Sequence, residues 1–304
     1  MVDLSVALPW FTLKNPVIAA SGAYGFGREY AGYTDLGALG GISVKGLTAE
    51  ARAGNRPPRI AETPSGVLNS IGLQNPGARA FINDELPFIR SFDGLRVIAN
   101  AAGGTPDEYR ECVSILSDSA VDAIELNVSC PNVKEGGLGF GATEETIYKL
   151  VSFVRPSCRK PLIVKLTPNT GDIGALAKAA ERAGADALSL INTLLGMKID
   201  VHTRRPVLAN NTGGLSGPAV RPVAVRMTWE AARAVRIPVI GMGGITSGED
   251  AVEFMLAGAA AVMVGAHNFV EPDACARVVS GIYDYCIKHG YGSPSEFTRG
   301  LILN

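Results

Sequence analysis

Histidine, paired cysteines, net charge and long apolar runs are all scarce in this sequence, and each scarcity excludes something. Three histidines (His202, His267, His289) are scattered over 304 residues. They offer no histidine metal site and read as surface or packing residues. Five cysteines, at 112, 130, 158, 275 and 286, form no C-x-x-C pair and no spacing suited to zinc or an iron–sulfur cluster. A formal charge of −1 removes the electrostatic case for nucleic acid or a membrane surface. No window approaches the roughly 18 unbroken apolar residues of a membrane span. The first residues, MVDLSVALPW, lack the basic region and apolar core of a targeting segment. The expectation is a soluble, cytoplasmic protein with reduced thiols and no metal.

What is present is apolar and evenly spread. Hydrophobic residues make up 47 % and charged ones 19 %, and no polar linker divides the chain, which predicts one domain over residues 1–304. Eight β-rich apolar runs recur: 16–22, 40–46, 96–103, 122–130, 161–168, 185–193, 237–244 and 259–266. Helical periodicity lies between several of them, at 108–119, 172–185 and 248–259. Alternating βα units in this number predict an α/β fold, a (β/α)8 TIM barrel, with long loops at its mouth after the second strand (47–80) and the sixth (194–217). An open doubly wound sheet is the alternative, but G-A-Y-G-F-G at 22–27 lacks the dinucleotide spacing.

The stretch 122–141, DAIELNVSCPNVKEGGLGFG, is the richest in chemistry. A buried strand ends there in Asn127, Ser129, Cys130 and Asn132, and Pro131 with four glycines makes the following loop. Cys130 is equipped to act as a base or a nucleophile, or else is a buried structural thiol. In a barrel the C-terminal ends of all strands meet at one mouth. Those ends supply Ser21, Gly22, Lys45, Gly46, Asn100, Asn127, Cys130, Lys165, Asn192, Thr193, Gly243, Gly244 and Gly265. Lys45 and Lys165 sit inside apolar strands, where an ammonium calls for an anionic partner. Glycines after the last two strands, with SGPAVRP at 216–222, suit a phosphate cradle of backbone N–H groups.

Taken together, NSIGLQNPG, NVSCPNVKEGGLGFG, INTLLGMKID, NNTGGLSGPAVRPVA and GMGGI resemble the dihydroorotate dehydrogenases, FMN-containing barrels of pyrimidine biosynthesis, from about residue 4 to the C-terminus. A cysteine in the catalytic loop looks like their soluble class, and NVKEGGLGFG looks like its NAD-linked branch; the fumarate-using homodimers are the nearest competitor. The resemblance implies that Cys130 removes the C5 proton of dihydroorotate while a hydride leaves C6 for FMN, one per chain. It implies that Lys45, Asn69, Ser70, Ile71, Gly72, Leu73, Asn127, Asn192 and Thr193 contact the substrate. Ser21, Lys45, Gly46, Asn100, Asn127, Lys165 and Ile191 would line the flavin, and Gly217, Gly243, Gly244, Gly265 and Ala266 its phosphate. It further implies a homodimer of this chain joined to an electron-transfer subunit with FAD and a [2Fe–2S] cluster, as a heterotetramer. The absence here of a dinucleotide fingerprint and of cluster spacing agrees with electrons leaving through another chain.

Two positions depart from the family pattern. Gly265-Ala266-His267-Asn268-Phe269 stands where Gly-Thr-Ala-Asn-Phe is common, and Asn211 stands where glycine is usual. Rival readings are a Schiff-base lyase built on Lys165 and a catalytically silent barrel acting as a scaffold. The loop at 131–141 is expected to close over substrate.

Overall fold

In the computed structural model of the chain, residues 2–129 and 141–304 are described. An N-terminal hairpin, Val6–Ala7 (β1) against Thr12–Leu13 (β2), precedes the strands Val17–Ala19 (β3) and Gly41–Ser43 (β4). The next are Ile60–Thr63 (β5), Gly66–Asn69 (β6), Arg96–Ala101 (β7), Ala123–Asn127 (β8), Leu162–Lys165 (β9) and Ala187–Leu190 (β10). Then come Leu194–Gly196 (β11), Ile199–Asp200 (β12), Arg205–Pro206 (β13), Gly213–Ser216 (β14), Val239–Met242 (β15) and Ala261–Val264 (β16). β3, β4, β7, β8, β9, β10, β15 and β16 pair in parallel in that order, and β16 returns to β3 to close the barrel. The eight expected runs each contain one of these strands. Nearly all their residues are buried, as strands covered on both faces must be, and this is why they read as continuous apolar runs.

The helices follow the sequence with their caps in place. Ala78–Ala80 (α1) and Leu86–Arg90 (α2) are joined by a π-helical turn; α1 contacts Pro106–Ser117 (α3), which contacts Glu144–Val154 (α4), which in turn contacts Ile173–Arg182 (α5). Arg221–Ala234 (α6), Gly248–Leu256 (α7) and Ala274–His289 (α8) complete the outer layer. Thr105, Thr143, Asp172 and Ser247 accept hydrogen bonds from first-turn amides of α3, α4, α5 and α7, satisfying donors that the helix itself leaves open. Among the described residues, no helix is long and apolar enough to cross a membrane.

Inside the barrel, side chains change character along the strand axis. Ile18, Ile98, Ala123, Ile163, Ala187, Ile240, Ala261 and Met263 form an apolar layer, and Leu8 and Leu13 of the β1–β2 hairpin pack into it from the N-terminal end. One step further along the strands the layer becomes polar, with Ser43, Asn100, Glu125, Lys165 and Ser189 all buried. This places every charged interior group toward the mouth.

The two long insertions depart from the expectation of loops. β5 and β6 form a hairpin in the first, β11 and β14 pair in the second, and β6 joins β14 to give a four-stranded sheet β11-β14-β6-β5. Its strands are only three or four residues long and half-exposed, so their sequence carries no apolar run to announce them.

Candidate active site at the barrel mouth

The centre of the polar layer is Glu125, a fully buried carboxylate on β8. Its Oε1 accepts from Ser189 Oγ at 2.7 Å, and its Oε2 accepts from Asn100 Nδ2 at 2.5 Å, Ser43 Oγ at 3.0 Å and Ser21 Oγ at 3.4 Å. Lys165 Nζ donates to Ser21 Oγ at 3.0 Å and stands 3.9 Å from Glu125 Oε2. The two charges are buried together, so each offsets the cost of desolvating the other; removing one partner of such a pair typically costs about 3–5 kcal/mol. The register places these groups side by side, since Asn100 is level with Glu125, and Lys165 lies between Asn127 and Ser189 on its neighbours. Lys165 therefore has the anion that its place in an apolar strand called for.

Asn100 is held in one orientation by this arrangement. With Nδ2 committed to Glu125, and to Ser21 at 3.3 Å, its Oδ1 is buried and has no partner among the described residues. Gly46 lies against that oxygen: a Cβ on Gly46 would stand 3.0 Å from Asn100 Oδ1 and 3.5 Å from Leu73. Leu73, Gly46 and Asn100 thus line one wall.

Asn127, Asn192 and Thr193 are brought together as expected. Asn192 Nδ2 donates to Asn127 Oδ1 at 3.2 Å, and Asn192 Oδ1 accepts from the Thr193 amide at 2.8 Å. Asn69 Nδ2 reaches Gly214 O at 3.5 Å across the β6–β14 pairing, which ties the first insertion to the second. Ser70 donates its amide to Arg59 O, and the Asn55 amide donates to Ile71 O, so this segment is braced by 52–59. Gly72 has φ +76°, and a Cβ there would meet Asn55; Leu73 takes φ +56°. Lys45 is largely buried, and burial first, then the like charge of Arg59, pull its pKa below the ordinary lysine range.

Across the mouth the character changes to backbone. Gly217, Gly243 and Gly244 all have positive φ, and a Cβ on Gly244 would stand 2.7 Å from Gly217 O. A Cβ on Gly243 would stand 3.3 Å from Ile191, itself buried. Gly265 and Ala266 follow β16, next to β15. Asn268 braces that turn, donating from Nδ2 to the carbonyls of Val264 and Gly265 while Oδ1 accepts from Cys275 Sγ at 3.3 Å. Asn211 has φ +65°, so the position wants a residue tolerant of left-handed backbone, and asparagine is the next most tolerant after glycine.

Cys130 and the 131–140 part of the loop expected to close lie outside the described residues. The other four cysteines are buried, and burial raises every one of their pKa values, those of Cys112 and Cys275 to about 12. They are poor nucleophiles or bases near neutral pH.

Sequence reasoning missed Glu125, Ser43, Ser189 and Asn268. Glu125 had a signal, a lone carboxylate inside the apolar run DAIEL two residues from Asn127 and so on the same strand face. The serines had none.

The family model for dihydroorotate dehydrogenase matches residues 3–285. A protein of Thermoanaerobacter pseudethanolicus named dihydroorotate dehydrogenase B (NAD(+)), catalytic subunit, is 56 % identical over 300 residues, covering 99 % of each chain. Proteins of the same name from Alkaliphilus oremlandii and Geobacillus kaustophilus are 54 % identical over 283 residues (93 % of each chain) and 52 % identical over 297 residues (97 % of this chain and 95 % of the relative). With the closed parallel barrel and a match over nearly its whole length, this chain belongs to the dihydroorotate dehydrogenase family.

Proposed function

We propose that this chain is the catalytic subunit of an NAD-linked, FMN-dependent oxidoreductase that converts (S)-dihydroorotate to orotate in pyrimidine biosynthesis. The observation that carries the reading is the buried Lys165–Glu125–Asn100 set, which leaves one acceptor, Asn100 Oδ1, without a partner among the described residues and facing Gly46. Buried polar atoms are almost always satisfied, so a planar ligand with a ring N–H fits there. The glycine turns fit the other end of the same ligand, because Gly217, Gly243 and Gly244 bring backbone close with no room for side chains. FMN suits both ends and, when bound, supplies the acceptor for the C6 hydride.

The chain's own groups divide the remaining work. Cys130 takes the C5 proton of dihydroorotate as a thiolate. Lys45, with Asn69 and the backbone of 70–73, binds the substrate carboxylate, while Asn127, Asn192 and Thr193 orient its ring amides. Ser21, Gly46, Asn100, Lys165 and Ile191 position the flavin ring, and Gly265 with Ala266 joins Gly217, Gly243 and Gly244 at the phosphate. Ala266 has no hydroxyl to offer, so holding falls to backbone amides there.

The subunit and NAD(+) wording of the relatives' names supports an acceptor reached through another chain. That partner carries FAD and a [2Fe–2S] cluster, in a heterotetramer built on a homodimer of this chain in the cytoplasm. The test is anaerobic reduction by dihydroorotate followed at the flavin absorbance. Bleaching that neither NAD nor fumarate reverses is the expected result for the chain alone. Rapid reversal by fumarate would instead assign it to the homodimeric class. Absence of flavin after FMN is supplied would remove the reading altogether.

A further inference from the structure

Glu125, Lys165 and Asp250 are the charged residues buried among those described, and only the first two share the barrel interior with Asn100. Four side-chain donors converge on one carboxylate, far more than packing a small interior layer requires. Resting on the flavin reading above, we propose that Glu125 is a positioning residue for the redox centre: it fixes the carboxamide of Asn100 with its oxygen toward the mouth and balances the charge of Lys165 through Ser21.

Two features carry this. An unconstrained asparagine amide can flip, presenting N–H₂ where oxygen stood. A carboxylate accepts only, so the 2.5 Å contact to Glu125 admits the Nδ2-inward state alone, and Oδ1 is the atom left for a ligand. Ser21 is the second feature, because its hydroxyl accepts from Lys165 and donates to Glu125, joining cation and anion in a chain of hydrogen bonds. An opposite charge 3.9 Å away lowers the net field that Lys165 projects into the mouth. Glu125 touches neither substrate nor cofactor in this arrangement; it acts through its neighbours.

The test uses the FMN-loaded enzyme with Glu125→Gln and Glu125→Asp, reading the midpoint potential of the bound flavin and its dissociation constant. Glutamine removes the charge, so the reduced flavin gains relative to the oxidised one by about tenfold, a rise of ~30 mV for a two-electron couple. Aspartate keeps the charge but shortens the arm to Asn100, so the potential stays near wild type while FMN binding weakens. Equal potentials in wild type and Glu125→Gln, with flavin bound, would overturn the inference and leave the flavin reading intact. A wild-type chain that takes up no flavin would remove both. Should Glu125→Gln fail to fold, redox difference infrared spectra of wild-type enzyme carrying ¹³C-glutamate decide: a label-sensitive carboxylate band that shifts on flavin reduction is expected, and its absence overturns the proposal.

Discussion

The two halves of the barrel mouth present different chemistry. From β3 round to β10 the strand ends present side chains: Ser21, Lys45, Asn100, Asn127, Lys165 and Asn192. From β14 to β16 they present backbone, at Gly217, Gly243, Gly244 and Gly265. The contrast matches what the proposed flavin would ask of each half. A heterocycle that changes charge needs groups of defined direction and polarity. A phosphate of constant charge needs only convergent N–H donors and close approach.

The sharpest way to break this contrast is at the chemical step itself. Cys130→Ala should lower the rate of flavin reduction by dihydroorotate by roughly 10²–10⁴, the usual worth of a positioned base. The flavin spectrum should be unchanged, because the role proposed for the thiol is proton removal and not flavin holding; stopped-flow absorbance under anaerobic conditions reads both. A fall of less than tenfold would mean another group takes the proton.

Gly244→Ala probes the backbone half. The added methyl meets Gly217 O at 2.7 Å and Arg221 Cβ at 2.9 Å, on a residue with φ +75°. Strain of about 1–3 kcal/mol is expected, which would weaken FMN binding by roughly ten- to hundredfold. Fluorescence of released FMN measures this. Retained kcat in the flavin-loaded fraction would confirm that this half holds and does not react.

The smallest effect concerns pH on the side-chain half. Lys45 must be protonated to bind a carboxylate, and its pKa is depressed by burial and then by Arg59. The alkaline limb of kcat/KM should therefore fall below the ordinary lysine range, and Arg59→Gln should move it upward, though not fully because burial remains. The sign for stability is the reverse. Between the depressed folded value and 10.5 the unfolded chain binds more protons, so unliganded stability rises with pH through that window, and Arg59→Gln narrows the window.

How much of this was legible in the sequence varied by the kind of signal. All eight barrel strands were visible, because parallel strands buried on both faces leave unbroken apolar runs; the runs overshot the strands by up to three residues at their C-terminal ends. Those overshooting residues, such as Ser21, Lys45 and Asn192, leave the ladder to form the mouth. The sheet made by the two insertions was not visible, because strands such as Gly66–Asn69 are short and half-exposed. Glu125 was overlooked for a different reason. A single carboxylate inside DAIEL reads as noise until the donors from Ser43, Asn100 and Ser189, distant in sequence, are seen to converge on it.

The four-stranded sheet over the mouth also governs how this site can be rebuilt. Asn69 in one insertion and Gly214 in the other are opposite each other on paired strands, although 145 residues separate them. Neither segment can be exchanged alone without leaving its partner's edge unpaired. Chimaeras that seek a new substrate preference must therefore transplant the two insertions together, as one cassette.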